Sequence, residues 1–298
     1  MILEFLQPEP SLLDGATVLL RAGLYATSLT AAGVGLLLAL AGSGLGEAPR
    51  ALARRWLLAA ALAGIAVSLA SLPLRALVLT GGESALDGAT WQAMMISRIG
   101  DAFWLRLAGL LLLLGGTLRW TAATALAAMG ALMVAASYAA LGHSTLYRPR
   151  QELAALVTLH LMAVGFWVGS LPLLWRAAQA GDGALLARWL PLGAAAVGVL
   201  AGTGLLLAIL LVRRWDLLLA SWYGWGMMAK LLLVAAMAAL AARHRFLLVP
   251  ALARGEPGAG ARLARSIRRE AGLALLVFWA AAEMVSVHPL DAGHRISS

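Results

Sequence analysis

The sequence predicts an all-α fold of the polytopic membrane class: one membrane domain over 1–298, a bundle of eight transmembrane helices with both termini periplasmic. Three observations predict it. The chain is 62% hydrophobic and only 12% charged, and apolar runs long enough to cross a bilayer recur from end to end. Breaks rich in Gly, Pro and Arg separate those runs. The arginines gather in the breaks, and chiefly in every second one. Two classes of function are excluded early. With no cysteine, the chain builds no disulfide, thiolate metal site or protein-held iron–sulfur cluster. The net charge of +9 comes from arginines placed where topology requires them, which argues against a nucleic-acid partner.

The predicted spans are 15–41, 54–79, 100–118, 120–142, 151–177, 185–212, 222–247 and 267–288, each sufficient to cross at about 1.5 Å per residue. The N-terminal MILEFLQPEP is acidic and lacks the basic leader of a signal peptide, so no cleavage is expected. GSGLGEAPR (42–50) reads as the loop after span 1 and ARGEPGAGARLAR (253–265) as the loop after span 7. Between spans 2 and 3, residues Thr80 to Gly100 form the longest outer segment. Its TWQAMMISRIG stretch predicts a short interfacial helix with Trp91 at headgroup level.

Orientation follows from charge. The loops after spans 1, 3, 5 and 7 and the span ends beside them carry thirteen arginines, and the opposite side carries six. The basic side faces the cytoplasm, and an even number of spans returns the C-terminus to the side of the N-terminus. The basic loop after span 7 then lies against anionic lipid of the bilayer, with no further partner needed.

Span 5 carries the most informative stretch, VTLHLMAVGFWVGSLPLLW (157–175). At 100° per residue, His160, Ala163, Val164, Trp167, Leu171 and Leu174 share one face. Met162, Gly165 and Gly169 share the opposite face, where small residues let a second helix approach. Intramembrane ionisable groups are rare, and a histidine there is either bonded to a neighbouring helix or functional.

The metal-capable side chains sort by side. His143 ends span 4 at the outer surface, and His160 lies nine residues into span 5, roughly 13 Å below that surface. His288 and His294 follow span 8 outside, with Met284 just within it, and Met94 and Met95 lie in the outer loop. Only His244 falls on the cytoplasmic side. Imidazole and thioether are copper ligands, thioether favouring Cu(I). The candidate metal residues are therefore His143, His160, Met94, Met95, Met284 and His288. Each methionine taken alone also reads as core filler. Met284 and His288 stand four apart, although Pro289 biases His288 out of helical geometry. Three buried charges need partners: Arg106, Glu283 and Lys230, the sole lysine. A Lys230–Glu283 pair locking two helices and a role in ion passage are both open.

RIGDAFWLRL (98–107), Gly142–His143, LHLMAVGFWVGSLPLL (159–174), YGWGMMAKLLL (223–233), ARHRFLLVPAL (242–252) and RSIRREAGLALL (265–276) occur in this order. In that combination the chain resembles the copper resistance protein D (CopD) family of bacterial inner-membrane proteins, from span 3 onward. The resemblance implies an eight-helix, multi-pass inner-membrane protein that handles copper, as Cu(I) or Cu(II), supplied from the periplasm. It also implies a small CopC-like periplasmic copper-binding partner. His143 and His160 match family positions and inherit the copper role; Arg106, Tyr223, Lys230 and Glu270 match without an implied role.

Three functions follow from these residues. The first is copper transport from the periplasm into or across the membrane, for copper homeostasis or resistance. The second is a redox protein in which His143 and His160 ligate a b-type haem or copper. The third is a membrane dock for a periplasmic copper chaperone. No P-loop is present, and no enzyme activity is expected.

Overall fold

A computed structural model of the protein describes residues 12–118, 122–141, 150–211 and 222–286. Among the described residues all regular structure is helical: α1 (Leu12–Ala41), α2 (Glu47–Leu79), α3 (Gly88–Met95), α4 (Arg98–Gly115), α5 (Ala123–Ala139), α6 (Arg150–Ala180), α7 (Gly183–Leu211), α8 (Trp222–Arg243), α9 (Val249–Ala253) and α10 (Ala259–Ser286). A 3-10 turn at Gly42–Gly44 links α1 to α2, and a π-helical turn at His244–Leu248 links α8 to α9. The chain is a multi-pass membrane protein. Five stretches are long and apolar enough to cross: Leu12–Gly44, Glu47–Leu79, Arg150–Ala180, Gly183–Leu211 and Gly224–Ala253. The other three predicted spans fall short of that standard for visible reasons. α5 has 17 residues, α4 carries Arg98, Asp101 and Arg106, and the first half of α10 is basic.

Helix ends follow local chemistry. Asp87 caps α3 by accepting from the Thr90 amide at 2.7 Å, and Ser97 caps α4 by accepting from Ile99. The short helix predicted in TWQAMMISRIG is thus present as α3, with the Trp91 indole donating to the Ala85 carbonyl. Gly181, at φ 70°, ends α6 in the left-handed conformation that other residues avoid. After α1, Arg50 reaches back to the carbonyls of Gly42 and Leu45, at 2.7 and 2.9 Å, and closes the turn.

Two boundaries differ from the sequence reading. Helical structure begins at Glu47 rather than at residue 54, and α10 begins at Ala259 rather than 267. The stretch read as a loop over 253–265 is a turn of five residues, Arg254–Gly258, followed by helix. The reason is amphipathicity. Leu263, Ile267, Glu270, Ala274 and Phe278 form a buried stripe, while Arg265, Arg268 and Arg269 stay exposed. The many arginines mask a helix whose buried face is continuous.

The hub of the bundle is α1, which packs against α2, α5, α6 and α10. Its closest approach is to α6. A Cβ added at Gly33 would collide with the Gly165 carbonyl, and one at Gly169 would lie 2.6 Å from the Val34 amide. The small-residue face read from Gly165 and Gly169 therefore meets a second small face on α1. On the periphery, α7 and α8 expose Leu205, Ile209, Leu231 and Leu232, an apolar surface of the kind lipid covers.

Candidate functional site

The face of α6 opposite the α1 crossing carries His160 and Trp167, seven residues and about 10 Å apart along the helix axis. Each has a defined partner on another helix. His160 Nδ1 lies 3.0 Å from Thr203 Oγ1 on α7. Thr203 spends its one proton on the Val199 carbonyl of the preceding turn, at 2.6 Å. With that proton committed, the hydroxyl oxygen is the acceptor for the Nδ1–H tautomer of His160. That tautomer leaves the Nε2 lone pair for a metal ion. Lys230 of α8 is within electrostatic reach of the ring.

Two turns further along, the Trp167 indole donates to Glu270 Oε1 of α10 at 2.6 Å. The other oxygen of Glu270 faces His244 Nδ1 at 3.4 Å, and His244 Nε2 contacts Ser266 Oγ at 2.8 Å. Glu270 is 2% exposed, and its carboxyl oxygens meet the Trp167 indole and the His244 imidazole. His244 opens the π turn; such turns widen a helix by one residue and recur where function needs a side chain re-aimed. Trp167, Glu270 and His244 line a cavity of about 290 Å³ between α6, α7, α8 and α10. Phe166 and Trp189 stack at 5.7 Å on its wall. The arrangement offers a cation one free imidazole nitrogen at His160, then a buried carboxylate–imidazole pair beside a small cavity.

The residues singled out in the sequence are dispersed. His143 and His288 lie outside the described residues, as does His294. Met94 is buried with Leu72 and Phe103 beneath α3, and Met95 packs against that cluster. Met284 is buried against α8, where a Cβ at Gly226 would lie 2.8 Å from its Cγ. Arg106 is buried between α4 and α5, with Nε donating to Ser137 Oγ at 3.2 Å. Glu283 is exposed on α10, and among the described residues no ion pair joins it to Lys230. The turn of the helix explains this, since its neighbours Ala282 and Met284 point inward. No group of three His, Asp or Glu side chains with metal-binding geometry occurs among the described residues.

Sequence reasoning left Thr203 and Trp167's partner unassigned, and it placed His244 at the cytoplasmic side without a role. One signal was available: Glu270 is a carboxylate set on the apolar stripe of an otherwise basic amphipathic helix. Thr203 carries no comparable signal in an apolar α7.

Comparison with known families gives two matches. Residues 12–148 match the model described as copper resistance protein D-like, N-terminal domain, and residues 183–284 match copper resistance protein D. The first match reaches α1 and α2, which the resemblance read from the sequence did not cover. Helix α6, with His160 and Trp167, lies between the two matched stretches. No curated protein and no solved structure gives a match.

Proposed function

The chain belongs to the copper resistance protein D family, and from that premise we propose that it takes copper from the periplasm into or across the bacterial inner membrane. In this reading all eight predicted spans cross, with α4, α5 and α10 joining the five longer helices. The single observation that carries the reading is a broken line of polar groups on one face of α6 in an otherwise apolar bundle. It runs from His160–Thr203 to Trp167–Glu270–His244. Copper is the cargo. His160 receives it through Nε2, a borderline ligand suited to either oxidation state. The Glu270–His244 pair continues the line toward the other face, where charge on the ion is matched by the carboxylate. A small CopC-like protein is the proposed periplasmic source, and His143 the proposed first contact.

The b-type haem alternative pairs His160 with His143, which lies outside the described residues. Metal analysis and an absorbance spectrum of purified protein separate the readings. Copper transport predicts stoichiometric copper binding, no Soret band, and loss of that binding in His160→Ala with the elution profile kept. A Soret band in freshly purified protein contradicts it.

A further inference from the structure

Of the twenty-two arginines, nineteen enter the count of thirteen against six that sets topology, and three do not. These three, Arg21 on α1, Arg75 on α2 and Arg106 on α4, converge at the end of the bundle where α1 and α4 begin and α2 and α5 end. All three charges act on Tyr25, and those of Arg21 and Arg106 both act on Arg75. Arg106 is 3% exposed, and its guanidinium carbon stands 4.6 Å from the centroid of the Tyr138 ring. The Tyr138 hydroxyl meets Ser28 Oγ at 2.6 Å, and the Tyr25 ring lies 5.1 Å from the Tyr138 ring.

The charge is unbalanced. Among the described residues the ion pairs involve His244, Arg254 and Arg262, and none includes these three arginines. One terminal nitrogen of Arg21 is buried with no hydrogen-bond partner. A lone charge at bilayer depth costs a few kcal/mol, and charges of one sign gathered at the edge of the hydrocarbon add mutual repulsion. Packing on tyrosine rings accounts for one guanidinium, not for three. A bound anion would relieve the repulsion and pair the orphaned donor.

We propose that Arg21, Arg75 and Arg106, with the Tyr25 hydroxyl, form a binding site for a phosphate-type oxyanion at the end of the bundle, supplied by a phospholipid headgroup or by free phosphate. Guanidinium forks match phosphate oxygens in pairs. The depth suits a headgroup as well. A helix of 30 residues, as α1 is, spans about 45 Å against about 30 Å of hydrocarbon, which leaves about 7 Å at each end in the headgroup zone. Arg21, nine residues in, then lies about 6 Å below the boundary, within reach of a snorkelling side chain. Arg75, four residues from the end of α2, lies at headgroup level.

The test follows unfolding of the full chain in neutral detergent by tryptophan emission, at fixed ionic strength. Inorganic phosphate or monomeric short-chain phosphatidylglycerol is titrated into wild type, Arg75→Gln and Arg21→Gln. The site predicts saturable stabilisation of wild type by at least one probe, with affinity at least about tenfold weaker in both variants, the loss of roughly one charged contact. Stabilisation by the lipid alone assigns the site to a headgroup; stabilisation by both assigns it to any accessible phosphate. If a glutamine variant does not fold, Arg75→Lys carries the same comparison, keeping the charge and losing the fork, with an intermediate affinity expected. Absence of stabilisation by either probe, or equal stabilisation of wild type and variants, overturns the proposal.

Discussion

Thr203 decides what His160 can do. A hydroxyl that donates to its own helix accepts from the imidazole, and in the copper reading proposed above the lone pair that receives the ion is then on Nε2. Thr203→Val keeps the shape and removes the acceptor, so either nitrogen is then free to carry the proton. We expect copper affinity to fall several-fold to about tenfold, a loss on the scale of one hydrogen bond, with Thr203→Ser restoring it. Titration of copper into the purified variants checks this, and equal affinities would make the contact purely structural. The histidine itself was legible in the sequence as an ionisable group in an apolar run. Its partner was not, because Thr203 stands 43 positions away and only the packing of α6 on α7 joins them. The same holds for Trp167 and Glu270, 103 positions apart. Met94 and Met95 were legible as soft ligand candidates, whereas their neighbours Leu72 and Phe103 come from other helices and were not.

At the scale of elements, the crossing of α1 and α6 holds the functional face in place from behind. Gly33 has no room for a side chain, since a Cβ there would collide with the Gly165 backbone. Gly33→Ala must force the helices apart, and we expect a loss of 2 kcal/mol or more, of the order that overpacking costs. Gly198→Ala is the control. A Cβ there meets nothing within 4 Å, so alanine should leave stability unchanged or raise it by about 0.5–1 kcal/mol through helix propensity. Thermal unfolding of both variants decides. Similar behaviour of the two would mean that the crossing is not tight. This face was legible because Gly165 and Gly169 recur at one helical turn. The identity of the helix that meets it was not, because spacing on one helix names no partner. Helix α10 marks another limit. Its start was obscured because arginines on its exposed face raise the polarity of a segment whose other face is fully buried.

For the whole molecule, topology sets which end of the polar line meets the periplasm. Thirteen arginines against six predict that Met1 and Ser298 lie outside and Arg254 to Arg265 in the cytoplasm. Reporter fusions at the C-terminus and in the Arg254–Gly258 turn check this. An active cytoplasmic reporter at Ser298 would reverse the order of the stations. Approximate placement of the five long apolar helices was legible from hydropathy, since bilayer thickness imposes a length on each crossing. What hydropathy does not carry is which helix lies at the centre. That role falls to α1, whose packing on four neighbours comes from small residues on several faces rather than from any motif. The central claim, that copper passes along the α6 face, rests on transport and is tested by copper uptake into proteoliposomes of known orientation. Wild type, His160→Ala and Glu270→Gln are compared; the glutamine keeps the oxygen that accepts from Trp167 and removes the ionisable group. The account predicts uptake from the His160 side in wild type, background uptake in His160→Ala, and reduced uptake with copper binding retained in Glu270→Gln. Uptake at the wild-type rate in His160→Ala would contradict it.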